Sequence, residues 1–421
     1  MDIKEVLTDQ RKDLLDMGSR ERLIDREHLD DARNMLDHPN ILVVTGVRRC
    51  GKSIFSYLIA KGENFGYVNF DDERFLGMKT DDLNNVLRSL YELHGDINYI
   101  ILDEVQNIVG WELFTSRLRQ SKRVIVTGSN SKMLSGELAS RLTGRYMEVS
   151  LFPLSFREFL DLNGSLPPDD MGTLDRAKVQ NVLRNYISIG GFPEVHKFGP
   201  AILRTIYDNI VTKDIVMRYG IRKSEALRQL AKYLISNHSE EFTYNKLSKV
   251  LDVKRNDTIA TWVRYLEDAF LIFHLERFDF KLKQQFKSPK KAYCIDTGLI
   301  HKVGFSPGPN IGRLMENVVA VELMRRNIAE GGSELYYWKD HSQNEVDFVV
   351  RKNGHVVRLI QVTYASDIEG VRDRELKALS SASIRLDCNE AQVITWDLDD
   401  KRCSNGLNIQ FIPLWKWLLK R

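Results

Sequence analysis

Eight residues, Gly46-Val47-Arg48-Arg49-Cys50-Gly51-Lys52-Ser53, restrict this chain more than any other stretch of it. An apolar run at 41–45 precedes them and a helix-forming run at 54–60 follows. The two glycines let the backbone wrap so that successive N–H groups face one anion. The positive end of the following helix faces the same point. A loop of this form cradles phosphate: Lys52 reaches the β- and γ-phosphates of a nucleoside triphosphate, and the Ser53 hydroxyl ligates Mg2+. The expected ATP contacts are therefore Gly46, Val47, Arg48, Arg49, Cys50, Gly51, Lys52, Ser53 and Ile54.

About fifty residues later comes Tyr99-Ile100-Ile101-Leu102-Asp103-Glu104. An apolar strand ending in Asp-Glu places Asp103 beside the metal and lets Glu104 orient or deprotonate the attacking water. Alone such a run is an ordinary strand end; downstream of a phosphate loop it is informative. A third run, Val124-Ile125-Val126-Thr127, leads into Gly128-Ser129-Asn130. Ser129 and Asn130 could sense the γ-phosphate or hold the water, although both are also common turn formers. In Ser140-Arg141-Leu142-Thr143-Gly144-Arg145, either Arg141 or Arg145 could reach a neighbouring subunit's site as an arginine finger, or simply be solvated.

At 421 residues the chain exceeds one ordinary core, so two to four domains are expected. Its 61 Lys and Arg against 58 Asp and Glu leave a net charge of +3, too little to argue for nucleic acid without a local basic face. Cys50, Cys294, Cys388 and Cys403 form no Cys-x-x-Cys pair, which disfavours zinc and fits a reducing compartment. The first residues lack a signal-peptide core, and no window offers the roughly 18 apolar residues of a membrane span. A cytoplasmic location, with no membrane partner, is the expectation.

Residues 1–36 read as polar helices, and 37–162 as an α/β core whose strands alternate with helices around a mostly parallel sheet. The pattern of 163–236 is helical, broken by Gly190-Gly191-Phe192-Pro193-Glu194. Within 237–288, residues 245–251 and 254–269 fit a helix-turn-helix, and 270–286 reads as a β-hairpin. Residues 289–421 form a second α/β region. Pro307 and Pro309 mark the most obvious hinge.

The chain resembles the prokaryotic ATPases of the AAA+ superfamily that carry a C-terminal restriction-endonuclease-like domain. The resemblance rests on residues 46–53, Leu102-Asp103-Glu104-Val105-Gln106, Thr127-Gly128-Ser129, Gly144-Arg145, Pro153-Leu154-Ser155-Phe156-Arg157-Glu158-Phe159, Gly190-Gly191-Phe192-Pro193-Glu194, Glu316-Asn317 and Glu345-Val346-Asp347. It implies an AAA+ P-loop core at 37–162, a helical lid at 163–236 that brings residues 190–194 near the nucleotide, a winged helix at 237–288, and a nuclease-like domain at 289–421.

On the expected winged helix, Lys254, Arg255, Asn256 and Arg264, with Lys281, Lys283, Lys287, Lys290 and Lys291 on the wing and beyond it, could meet phosphates and base edges. Double-stranded DNA is thus one expected partner, a protein another, and a homo-oligomer is compatible with an arginine finger. In the nuclease-like domain Asp347, helped by Glu345 and Glu316, matches the metal-binding acid of such folds. Gln361 and Thr363 stand where glutamate and lysine belong, and a neutral amide is a poor Mg2+ ligand. This argues for binding or regulation over DNA cutting. The expected activity is ATP hydrolysis with Mg2+, driving the winged helix and C-terminal domain. The alternative is a slow nucleotide-gated DNA- or protein-binding switch; an active nuclease fits the residues least well.

Overall fold

In the computed structural model, residues 2–20, 22–36, 40–130, 144–305, 308, 310–404 and 406–420 are described. Arg141, Pro307 and Pro309 lie outside the described residues. Contacts divide the chain into two units, 1–152 with 268–270, and 153–267 with 271–421.

In the first unit, β1 (Ile41–Gly46) is buried along its whole length, as suits a strand covered on both faces. It joins β2 (Phe65–Asn69), β3 (Tyr99–Asp103), β4 (Arg123–Gly128) and β5 (Tyr146–Leu151). All pairings are parallel and the order is β2-β3-β4-β1-β5, so the expected parallel sheet is present. Val43, Val68, Leu102 and Val126 pack with Trp111 and Phe114 from the helix Trp111–Leu118 into one core. Register aligns Val44 with Thr127 and Val68 with Leu102, which brings the C-terminal ends of β1, β4 and β3 to one edge.

The second unit holds a nine-stranded mixed sheet. Its strands are β6 (Glu240–Phe242), β7 (Ile272–Arg277), β8 (Lys290–Cys294), β9 (Ser333–Lys339), β10 (Glu345–Lys352), β11 (His355–Val362), β12 (Glu390–Thr395), β13 (Asp400–Ser404) and β14 (Leu407–Pro413). Their order is β13-β14-β12-β11-β10-β9-β7-β8-β6. The helices Tyr244–Val250 and Asn256–Asp268 lie between β6 and β7 in the chain.

One expectation is corrected here. Residues 270–286 are not a hairpin: β7 ends at Arg277, Leu282–Lys287 is a helix, and the antiparallel partner of β7 is β8. The apolar alternation Phe278, Phe280, Leu282 mimics a strand, but Leu, Lys and Gln are strong helix formers. Asp279 starts the helix by accepting from the Lys281 N–H at 2.9 Å and, through its carbonyl, from Gln285 Nε2 at 2.6 Å.

The glycines at 190–191 also acquire a reason. A Cβ on Gly190 would lie 2.0 Å from Asp296 Oδ1, and Gly190 has φ +78. Asp296 is buried and accepts from the N–H groups of Gly191 at 2.6 Å, Gly298 at 2.9 Å and Leu299 at 3.3 Å. It thereby caps the helix Thr297–Val303 and ties it to the segment before Phe192. Among the described residues no helix is long and apolar enough to cross a membrane.

Burial pushes the Asp296 carboxyl up to about 6, outweighing its three backbone donors. The folded chain therefore holds the Asp296 proton more tightly than the unfolded one. Stability from this group is greatest below the ordinary carboxyl value and falls as pH rises from about 4 to about 6, by roughly 2–3 kcal/mol. Asp296→Asn should flatten this part of the profile; denaturant unfolding across that range, with slopes equal to wild type, would count against it.

Candidate nucleotide site

The phosphate loop leaves β1 at Gly46 and enters the helix Lys52–Ala60 at Gly51. Gly46 (φ +144) and Gly51 (φ +100) adopt conformations that side-chain-bearing residues rarely enter. A Cβ on Gly46 would also sit 2.1 Å from the Leu151 carbonyl oxygen of β5. The buried guanidinium of Arg26 fastens the loop from outside. It donates to the Cys50 carbonyl at 3.0 Å and to the Phe152 carbonyl at 2.7 Å. Lys52, also buried, donates to the carbonyls of Gly46 and Val47 at 3.2 Å each. Arg48 pairs with Asp71 at 3.3 Å. Val47 and Cys50 are buried in the loop, and Ile54 lies in the first turn of the helix.

The ends of β3 and β4 complete the corner. Asp103 accepts hydrogen bonds from Ser53, from the Thr127 hydroxyl, and from Tyr67 Oη at 2.9 Å. Burial, then the charge on Glu104, pushes its carboxyl above the ordinary range against those three donors. Glu104 has a left-handed backbone (φ +51), and its N–H donates to Thr127 Oγ1 at 3.1 Å. Its carboxylate lies 3.7 Å from Lys52 Nζ and accepts from the Gln106 amide. The Ser53 hydroxyl touching a buried carboxylate is a hard oxygen pair suited to Mg2+, and a cation there would relieve the Asp103–Glu104 repulsion. Among the described residues no group of three or more His, Cys, Asp or Glu is arranged for a metal.

Ser129 and Asn130 are buried just beyond the tip of β4, between the strands that carry Gly46 and Asp103. Arg145 goes elsewhere. It directly precedes β5, its carbonyl accepts from the Ile41 N–H at 2.9 Å, and its guanidinium donates to Ser116 Oγ at 3.2 Å. Ile41 and Gly46 are opposite ends of β1, so Arg145 lies at the sheet edge away from its own phosphate loop. Four contributors escaped sequence reasoning. Thr127 stands inside the strand that was singled out, and Gln106 inside the run Leu102–Gln106; Tyr67 and Arg26 carry no local signal at all.

In the second unit, Asp347, Glu345 and Glu316 do converge, around a lysine. Lys291, expected in the basic run on the wing and beyond it, is buried on β8 with its ammonium among the three carboxylates. Lys290 pairs with Glu276 at 3.0 Å, while Lys254, Arg255, Asn256, Arg264, Lys281, Lys283 and Lys287 are exposed.

A parallel five-stranded sheet, a glycine-bounded loop entering a helix, and an adjoining Asp-Glu strand end define an AAA-type P-loop ATPase fold. A family model described as an AAA domain matches residues 38–160, and domains of unknown function DUF8612 and DUF4143 match 180–308 and 311–417. The chain is 32% identical over 431 residues to the uncharacterized protein MJ1544 of Methanocaldococcus jannaschii, covering 97% of this chain and 93% of that one. An uncharacterized protein of Haemophilus influenzae is 32% identical over 363 residues, covering 81% of this chain and 87% of its own. The chain belongs to the AAA-domain protein family that it shares with these relatives. Among solved structures, the Walker-type ATPase PABY2304 of Pyrococcus abyssi is similar at a TM-score of 0.45 and 15% identity, covering 67% of this chain and 96% of that one.

Gly46→Ala combines a forbidden backbone with a collision against Leu151. It should destabilise the first unit by about 1–3 kcal/mol or more. Thermal unfolding indistinguishable from wild type would refute this packing.

Proposed function

We propose that the chain binds ATP with Mg2+ and hydrolyses it, and that the nucleotide state is read out by the second unit. The approach of Lys52 Nζ to within 3.7 Å of the Glu104 carboxylate carries this reading, because it joins the phosphate loop and the acidic strand end at one corner. The triphosphate lies along the loop N–H groups. Lys52 exchanges the Gly46 and Val47 carbonyls for phosphate oxygens, and Glu104 is released to the water. Ser129 and Asn130 line the γ-phosphate side. Ser53 and Asp103 hold Mg2+, which supplies positive charge against the phosphates. Arg141 or Arg145 would act only on a neighbouring subunit.

For the second unit, the helix Asn256–Asp268 offers exposed Lys254, Arg255, Asn256 and Arg264 to duplex DNA, and the same face could take a protein. The loss of Lys290 and Lys291 to ion pairs shortens the basic stretch. The segment from 289 onward we read as a restriction-endonuclease-like fold that binds or regulates rather than cuts, since Gln361 and Thr363 replace the acid and the lysine. A second reading, a slow nucleotide-gated switch with negligible turnover, is favoured by the Gln106 amide, which holds the Glu104 carboxylate in place. Steady-state ATP hydrolysis with and without duplex DNA separates the two.

Lys52→Ala removes charge-assisted bonds worth about 3 kcal/mol, so ATP affinity should fall about a hundredfold. Unchanged affinity in a nucleotide titration would sink the site. Glu104→Gln should keep binding but slow turnover by about a hundredfold or more. Wild-type turnover in that variant would remove Glu104 from the chemistry.

A further inference from the structure

Lys291 reaches the carboxylates because of how the sheet is built. β9 pairs with β7 through two positions only, opposite Glu276 and Arg277. The far end of β9 then meets β6 and β8: Tyr337 Oη donates to the Pro289 carbonyl at 2.6 Å, and Lys339 lies 3.1 Å from Glu241. The start of β10, paired with that end, is therefore carried to β8.

The Lys291 ammonium lies 2.7 Å from Glu316 Oε1, 2.7 Å from Glu345 Oε1 and 3.2 Å from Asp347 Oδ1. Asp347 and Glu345 are held through their second oxygens, by the Val362 N–H at 2.9 Å and by Lys339 at 3.1 Å, while Tyr293 Oη donates at 2.9 Å to the same Glu316 Oε1 that faces Lys291. The group lines a cavity of about 1010 Å3. Two more oxygens of buried side chains line it, Gln361 Oε1 and Glu375 Oε2, and neither has a hydrogen-bond partner among the described residues. Buried acceptors of this kind call for a cation or a donor.

We propose that Lys291 is the resident cation of a latent divalent-metal site, its ammonium filling the place where Glu316, Glu345 and Asp347 would ligate Mg2+ or Mn2+. As they stand around an ammonium the three acids are not arranged for a metal, but with the ammonium removed their oxygens would be a hard-cation donor set. Lys339 is shared between Glu345 and Glu241, so the three acids outnumber the single charge of Lys291, and a divalent ion would match them more closely. The carboxylates need to close in by several tenths of an ångström, since metal–oxygen bonds are shorter than N–H···O contacts. In the wild-type chain the ammonium is tethered to β8 and outcompetes a free ion, so the pocket takes no divalent cation.

The test is Mn2+ binding by electron paramagnetic resonance on the full chain without nucleotide, in an Asp103→Asn background that disables the other candidate cation corner. Wild-type Lys291 should show no Asp347-dependent site. Lys291→Met should gain one Mn2+ site at least about tenfold tighter, lost again on adding Asp347→Asn. A Lys291→Met chain that folds only with Mn2+ meets the same expectation. If it folds under neither condition, Lys291→Gln with Glu345→Gln is the variant that must gain the site. An Asp347-dependent site with Lys291 present, no gain in a folded variant, or failure of both variants to fold with Mn2+ overturns the proposal.

Discussion

A carboxylate without water needs donors, and Asp103 obtains three of them from three different elements. Ser53 comes from the phosphate loop, Tyr67 from β2 and Thr127 from β4. Because β4 lies between β1 and β3, those elements can meet only if the sheet has this order and this register. The acid therefore ties the nucleotide corner to the sheet. Anything that shifts one strand by a residue withdraws a donor and leaves a buried charge short of partners, which is costly.

The same economy operates in the second unit. Asp296 answers two N–H groups at a helix start and a third from Gly191, and Lys291 answers three acids beside a cavity. In both places a single polar side chain joins segments far apart in sequence. Burial disfavours charge on Asp296, while the surrounding acids raise the Lys291 pKa well above its ordinary value even though burial alone would lower it. Lys291 therefore stays charged in the interior, as a buried lysine can when acids surround it.

What the sequence revealed follows from the range of each interaction. Gly46 to Ser53 and the Asp103-Glu104 strand end are local patterns, and their backbone demands are written in consecutive residues. The parallel sheet was legible for the same reason, since its buried strands are continuous apolar runs. Tyr67 and Arg26 were not legible, because they act on residues 24 to 126 positions away through single side chains. Lys291 was misread as part of an exposed basic run because its neighbours Lys287 and Lys290 do face outward or sideways. Side chains alternate along β8, so Lys290 and Lys291 take opposite faces and only Lys291 meets the three acids. The false hairpin came from a six-residue segment too short for apolar spacing to distinguish strand from helix.

Were Arg145 to act on a neighbouring copy, its position would limit how copies of this chain could share a nucleotide. The phosphate loop and Arg145 stand at opposite ends of strands about 20 Å long. A face-to-face pair related by a twofold axis would have to present both ends in one patch. An arginine delivered from this position thus demands unlike surfaces in contact, top edge against bottom edge. Repeated, such contacts close into a ring or run on as a filament. Each bound triphosphate would then report on the subunit next in line.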